Sequence, residues 1–341
     1  MTLMQNINDP VKIHWVTRWK EGLGNSYGYY IHNETLFRYV QARPDVEITE
    51  DAPVAWWICP PELFREPVPD KINVLFTMFE SPDVPPQYSE PLKLADWLVA
   101  PSTWVKEILS QHFPAERISV IHHGVEPVFT FKRRYRPHEK PFRWLWCGAP
   151  NPRKGWEEVI VVWNQLFKGN PNVELYIKTT RVEGCQKTSN VIVDGRKLPL
   201  NELIDLYHSA HGFIFPTRGE GFGLTLAEAM ATGLPCIATD YSGVTDFFDA
   251  SVGWPLNWKM IDGEITFIST RETAPARLAT CDLEQMARMM LEVMAGYKKA
   301  LDRGRRASIR IRRDFTWDRA AEAVVGLVGR LTPDLAGRAA A

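Results

Sequence analysis

Two acidic residues bracket a glycine-rich stretch in Gly219-Glu220-Gly221-Phe222-Gly223-Leu224-Thr225-Leu226-Ala227-Glu228, with seven residues between the two acids. An apolar run, Gly212–Phe215, leads into Pro216 just upstream, and good helix formers begin near Thr225. The order is therefore buried strand, glycine loop, helix. Gly221 and Gly223 present no Cβ, so the backbone there can come close to a ligand. The first-turn N–H groups of a helix lack partners within the helix, and its dipole favours an anion at that end. A diphosphate suits such a place. Glu228 falls about one turn into the helix, where its carboxylate would accept hydrogen bonds from vicinal sugar hydroxyls. The plain structural alternatives are a loop carboxylate capping an amide for Glu220 and a solvated helix face for Glu228.

Other residues offer weaker chemistry. Glu80, in Phe79-Glu80-Ser81-Pro82-Asp83, is a loop carboxylate near the end of an apolar run. Gly22, Gly24 and Gly28 are spaced wrongly for a dinucleotide fingerprint, and an ordinary glycine turn explains them equally well. His208 and His211 have a spacing compatible with a metal, but no third ligand lies nearby in sequence, so core or surface histidines are the better reading. No Asp-x-Asp occurs. No metal site is expected.

These residues need elements to position them. Short apolar runs alternate with segments of helical period, a pattern that predicts a mostly parallel sheet covered by helices. In the first half, Val11–Thr17, Val54–Ile58, Ile72–Phe76 and Ile118–His122 read as strands. Ser102 is placed to cap a helix reaching about Phe113, with Trp104, Ile108 and Leu109 inward. Charge and proline crowd into Lys132–Pro141, where the interdomain linker is expected. The pattern then restarts. Arg143–Cys147, Val173–Ile177, Val191–Val193, Gly212–Phe215 and Pro235–Ala238 read as strands. Helices carry Trp156, Val159, Ile160, Trp163 and Phe167, then Leu200, Leu203, Ile204 and Tyr207, each set on one face. A last helix run spans about Thr225–Thr232, and Met286, Met290 and Met294 suit core packing.

The whole pattern resembles the Glu-x7-Glu family, the family-four retaining glycosyltransferases of the GT-B fold. Supporting pieces recur in the family's order: Trp144–Gly155, Pro199–Phe215, Gly233–Thr239, Val99–Trp104, Val120–Glu126 and Asp314–Trp317. The resemblance implies an α/β chain of two Rossmann-like domains whose parallel sheets face a central cleft. Residues 1–137 would form the acceptor-side domain, with a helix at about 316–341 packing back on it. Residues 138–315 would bind the donor, a UDP- or GDP-linked sugar, with no cofactor beyond that substrate. By the same resemblance Glu228 would hold the ribose and Glu220 would contact the donor sugar. Backbone N–H groups of Phe222, Gly223, Leu224 and Thr225 would bind the diphosphate. Lys154 would neutralise the leaving phosphates, and Arg153 would replace an arginine that many relatives carry a few residues earlier. Glu80 stands where many relatives have a histidine and would bind acceptor hydroxyls or assist proton removal. Gly24 would border the cleft beside the transferred sugar, and the base would lie near Val191–Arg196. Retention of configuration and independence of metal follow from the resemblance.

With 341 residues, 45% hydrophobic and 24% charged, the composition is that of a globular protein long enough for two domains. The formal charge of −1 gives no global field for nucleic acid or an anionic membrane. The basic runs Lys132–Arg136 and Arg303–Arg313 are either solvated faces or a docking surface for a polyanion, so glycan, lipid-linked and nucleic-acid acceptors all stay open, with peripheral membrane contact among them. No signal peptide and no span of the roughly 20 apolar residues that cross a bilayer is visible. Five scattered cysteines form no Cys-x-x-Cys pair, which favours reduced thiols in the cytoplasm. Two rival functions remain, a sugar-nucleotide epimerase on the same fold and a non-catalytic nucleotide-sugar-binding protein.

Overall fold

Five consecutive buried residues, Val54–Ile58, and five more, Ile72–Phe76, set the centre of the first sheet. Strands covered on both faces are near-continuously apolar and do not alternate; the polar exception, buried Asn73, accepts a hydrogen bond from the Trp57 indole N–H at 3.0 Å. A computed structural model of the chain describes residues 9–17, 27–135, 141–180, 182, 189–267 and 272–338. It folds as two units, one of residues 1–124, 264–276 and 315–341, the other of residues 125–263 and 277–314.

The first unit runs β1 (Val11–Trp15), α1 (Tyr27–Gln41), β2 (Val46–Ile48), β3 (Val54–Ile58), β4 (Ile72–Phe76), α2 (Pro86–Leu92), β5 (Trp97–Ala100), α3 (Thr103–Leu109) and β6 (Ile118–Val120). Among the described residues these strands form one parallel sheet in the order β2-β1-β3-β4-β5-β6. Ser102 caps α3 as its sequence position implies, accepting a hydrogen bond from the Val105 N–H at 3.2 Å. The helix proper stops at Leu109, short of Phe113, because its last turns tighten into bonds such as Gln111 N–H to Ile108 C=O. The strands expected over Val11–Thr17 and Ile118–His122 are likewise shorter than their apolar runs.

The second unit continues with β7 (Phe142–Cys147), α4 (Trp156–Leu166), β8 (Val173–Lys178), β9 (Val191–Asp194), α5 (Leu200–Ser209), β10 (Gly212–Phe215), α6 (Leu224–Ala231), β11 (Cys236–Thr239) and β12 (Trp254–Leu256). Next in the chain come a two-stranded sheet of β13 (Trp258–Thr266) and β14 (Thr273–Cys281), of which residues 264–276 count with the first unit, then α7 (Leu283–Ala295) and α8 (Tyr297–Asp314) of the second. The main sheet is parallel, in the order β12-β11-β10-β7-β8-β9. Strand order reverses between β7 and β10, so their carboxyl ends flank the topological switch point, where open α/β sheets bind ligands.

The last helix, α9 (Trp317–Arg338), returns to the first unit, where Trp317, Ala320, Val324, Leu327 and Val328 join the core of β1, β3 and β4. The chain crosses itself there. A Cβ at Gly124 would lie 2.0 Å from the Trp317 nitrogen.

Two basic runs behave differently from the expectation drawn for them. The division between units falls after Gly124, ahead of Lys132–Pro141. Within that run the Lys132 N–H donates to Thr232 C=O, and the buried Arg134 guanidinium donates to the carbonyls of Tyr207, Ala210 and Thr232 at 2.6–3.0 Å. The segment is thus pinned to the second unit by the carboxyl ends of α5 and α6; residues 136–140 lie outside the described residues. In α8, Arg303, Arg306 and Arg310 donate to the carbonyls of Gly253, Ser251 and Phe247, and Arg310 also pairs with Asp249 at 2.7 Å. Those arginines clamp the loop before β12 and are not a simply solvated face.

Candidate functional site

Two loops leave the sheet at the switch point, and a backbone crossing sets their geometry. The first follows β7. Asn151 caps a 3-10 turn, Pro152–Lys154, by accepting from the Arg153 N–H at 2.9 Å. Gly155 then turns with φ +70°, and a Cβ there would sit 2.0 Å from the Pro216 carbonyl oxygen of the second loop. Only glycine permits that approach. The Arg218 N–H donates to Arg153 C=O at 2.7 Å, and the Trp146 indole N–H donates to Lys154 C=O at 3.2 Å. A part-buried ion pair from Arg218 to Glu158 on α4 anchors the second loop from its other side.

This crossing turns Arg153 and Lys154 onto Glu220. Lys154 Nζ lies 2.6 Å and the Arg153 guanidinium 3.4 Å from Glu220 Oε1, to which the Thr217 hydroxyl also donates at 2.9 Å. Arg153 donates in addition to the Gly219 carbonyl. Burial alone would raise the Glu220 pKa. The Lys154 and Arg153 charges, with the hydrogen bonds from Lys154 and Thr217, outweigh it and hold the carboxyl below its ordinary value. A third loop supports this one: the Glu220 N–H donates to Ser242 Oγ at 2.8 Å, and the Gly243 N–H to Glu220 C=O at 3.0 Å.

Gly223 adopts φ +98° and is the N-cap of α6, with no side-chain cap on the helix. A Cβ there would meet Val244 Cγ1 at 2.5 Å. The amides of Leu224 and Thr225 therefore open the helix directly after Gly221, Phe222 and Gly223, and Phe222 is buried against Phe247. Buried Leu226, Ala227, Ala229, Met230 and Ala231 hold α6 in the core. Glu228, on the same helix, is turned against protein: the Tyr207 hydroxyl donates to its Oε2 at 3.0 Å. Burial, opposed by the Tyr207 hydrogen bond and reinforced by repulsion from Glu126, raises the Glu228 pKa to about 7. An exposed-face reading of this acid does not describe it.

The structure thus gathers Arg153, Lys154, Glu220, Gly221, Phe222, Gly223, Leu224, Thr225 and Glu228 at one switch point. Glu80 belongs to the first unit, in the loop after β4; Tyr29 braces that loop by accepting from the Met78 N–H at 2.9 Å. Gly24 lies outside the described residues. In the Val191–Arg196 segment, Asp194 accepts from Arg196 and from the Tyr176 hydroxyl, each at 2.8 Å. His211 Nδ1 accepts from the Arg143 N–H and His208 Nε2 lies 3.0 Å from Thr130 C=O, so each has a structural partner. Among the described residues no cluster of three or more His, Cys, Asp or Glu could hold a metal, and no helix is long and apolar enough to cross a membrane. Sequence reading missed Thr217, Ser242, the Arg218–Glu158 anchor and the Tyr207 hydroxyl. Helical spacing marks Tyr207 as inward-facing, but nothing local shows where its oxygen ends.

Comparison with known proteins agrees with this architecture. The chain is 27% identical over 169 residues to the amylovoran biosynthesis glycosyltransferase AmsK of Erwinia amylovora, covering 44% of this chain and 41% of that one. It is 27% identical over 219 residues to a glycogen synthase of Mycobacterium tuberculosis, covering 60% and 47%. The chain spans less than half the length of each of these curated relatives. Among solved structures, Anabaena Alr3699/HepE in complex with UDP and glucose superposes with a TM-score of 0.60 at 13% identity, covering 87% of this chain and 81% of that one. That likeness gives the GT-B fold, two Rossmann-like domains. The family described as Family 4 Glycosyltransferase in conflict systems matches residues 102–324, more than half of the chain, and the protein belongs to that family.

Proposed function

We propose that the protein transfers a hexosyl group from a nucleoside diphosphate sugar to an acceptor hydroxyl, with retention, its own cations taking the place of a metal ion. The observation that carries this reading is the knot of Lys154 and Arg153 on Glu220, beside a helix start that no side chain caps. The amides from Phe222 to Thr225 hold the diphosphate, Glu228 the ribose hydroxyls, and Glu220 the donor sugar. As the bond from the anomeric carbon to the phosphate oxygen breaks, charge grows on the diphosphate, and Lys154 with the helix amides stabilises it. The acceptor oxygen bonds to the same face of that carbon and its proton passes to the departing phosphate oxygen. Glu80 serves the acceptor hydroxyls. The HepE complex with UDP and glucose favours a UDP-linked donor, with GDP-linked sugars next.

Relatives named for glycogen and amylovoran synthesis favour a saccharide or lipid-linked glycan as acceptor over a DNA base. Engagement of Arg303, Arg306 and Arg310 with protein carbonyls argues the same way. A cytoplasmic setting fits the buried free thiols of Cys59, Cys236 and Cys281.

The test is a thermal-shift screen over UDP-, GDP- and ADP-sugars, followed by mass spectrometry of products and assignment of the anomeric centre by NMR. In the active pair, Lys154→Ala should lower kcat by about 100-fold or more, the scale of losing one preorganised charge-stabilising donor, far more than the accompanying fall in Tm, since Arg153 stays 3.4 Å from Glu220 Oε1 and keeps the buried carboxylate paired. Near wild-type turnover would remove Lys154 from the mechanism.

A further inference from the structure

Tyr207 lies 21 residues before Glu228 in sequence, and in the fold its hydroxyl ends 3.0 Å from that residue's Oε2. The tyrosine is fully buried. Its ring packs against Phe129 and Phe213 with centroids 5.7 and 6.0 Å away. Its carbonyl accepts from Arg134 at 3.0 Å, and the same guanidinium donates to Thr232 C=O, directly after α6. Arg134 therefore ties the carboxyl end of the helix carrying Tyr207 to the carboxyl end of the helix carrying Glu228. Buried aromatic packing and a buried cation together fix how far the phenol stands from the acid.

We infer that Tyr207 is a positioning residue for Glu228: its hydroxyl holds one carboxylate oxygen and leaves the other to grip the ribose hydroxyls of the donor nucleotide, so that Tyr207 sets donor affinity. The inference rests on the reading of Glu228 as the ribose ligand.

A phenol has one proton to give. Within reach are Glu228 Oε2, the Thr225 carbonyl at 3.4 Å, and the Cys147 sulfur at the end of β7. An ionised carboxylate is the strongest acceptor of the three, so the proton points to Glu228. Burial pushes the Cys147 thiol up to about 12, so it stays protonated, and a neutral thiol is a much weaker acceptor than a carboxylate. The other charged groups bearing on this cluster are Glu126, which repels Glu228, and Lys178 on β8 and Lys154, which bear on Cys147.

Glu228 ionises near pH 7, and the Tyr207 hydrogen bond favours its charged form. Donor affinity should climb as pH rises through about 7. Loss of the hydroxyl removes a stabiliser of the carboxylate, so that rise should move to higher pH.

Calorimetric titration of UDP and GDP into the full chain from about pH 5.5 to about pH 8.5, the range over which a group near 7 titrates, tests the idea. Tyr207→Phe, which keeps the ring, should weaken Kd about tenfold at neutral pH and shift the midpoint of the pH curve upward, while kcat at saturating donor changes much less than KM. A folded Tyr207→Phe with wild-type Kd and midpoint would overturn the inference. Should that variant fail to fold, 3-fluorotyrosine at position 207, a stronger donor, should move the midpoint down; an unmoved midpoint would likewise overturn it. Glu228→Gln separates the two readings. Wild-type affinity at every pH in that variant removes Glu228 from the ribose site, whatever Tyr207 does.

Discussion

Glu220 is the residue on which the site's charge balance turns. Its carboxylate is buried with two cations and a hydroxyl on one oxygen. Glu220→Gln would leave the partly buried Lys154 and Arg153 side by side without that charge, at a cost of about 2 kcal/mol, below that of a fully buried pair because both cations keep some solvent. Denaturant unfolding of the apo protein should show the loss, and Glu220→Gln combined with Lys154→Met should recover part of it. A double variant no better than the single would mean that the pair is not coupled. Because the Glu220 pKa is held below its ordinary value, the stability it contributes is present above the unfolded carboxyl pKa and is lost as pH falls through the lower folded value. Glu228 has the opposite sign. With a folded pKa near 7 it weakens the fold as pH rises from the unfolded value toward 7, a strain that suits a ligand-binding acid better than a structural one.

At the scale of elements, glycines with positive φ separate by what surrounds them. Gly155 has φ +70° and a carbonyl oxygen 2.0 Å from where a Cβ would stand, whereas Gly169 has φ +76° and open space within 4 Å. Gly169→Ala should cost about 1 kcal/mol from backbone strain alone, and Gly155→Ala distinctly more, with donor binding impaired because Arg153 and Lys154 ride on that turn. Equal costs, read from unfolding midpoints, would mean the two loops do not cross as described. Helix α6 is held at its far end as well. Ser308 of α8 donates to Ala231 C=O at 2.6 Å, and a Cβ at Gly304 would meet Gly233 C=O at 2.3 Å. The arginine-rich helix thus presses glycine and serine onto the element that carries Glu228, while Arg303, Arg306 and Arg310 hold the loop before β12. Arg306→Ala and Arg310→Ala should each cost roughly 1 kcal/mol of stability and leave the salt dependence of turnover unchanged; a flattened salt dependence would reinstate a polyanion-binding face.

At the scale of the whole molecule, the second unit interrupts the first, because α9 completes a core begun by β1, β3 and β4. A chain ending at Asp314 should lose the melting transition of the first unit in calorimetry and keep that of the second. Acid should act on both units. His32 and His123 in the first are buried and His211 in the second is half-buried, with pKa values lowered chiefly by burial, to about 3 for His123 and about 4 for His211. A histidine with a depressed folded pKa supplies stability that is present above the unfolded value of about 6.5 and is lost as pH falls below it. The denaturant midpoint should therefore drop between pH 7 and pH 5, the three histidines outweighing the opposed effects of Glu228 and of Asp240, whose carboxyl burial also raises, and a midpoint that rises would contradict their burial. Much of this protein was legible in one dimension. Runs such as Val54–Ile58 and Gly212–Phe215 announce central strands, since full burial leaves no polar alternation. Gly221 and Gly223 between a strand and helix formers announce an anion-binding turn, since the φ and the clearance they supply are local properties. β2, β5, β12, the β13–β14 pair, α1, α2 and α8 escaped notice, the strands because they are short or charge-bearing and the helices because polar and charged residues interrupt their apolar spacing. Residues far apart in sequence meet only after folding: Lys154 with Glu220, Arg218 with Glu158, Tyr207 with Glu228, and Arg134 with the ends of two helices. Local sequence decides what a segment can become, whereas the sheet order decides which side chains share a switch point, and with them the charge on each acid.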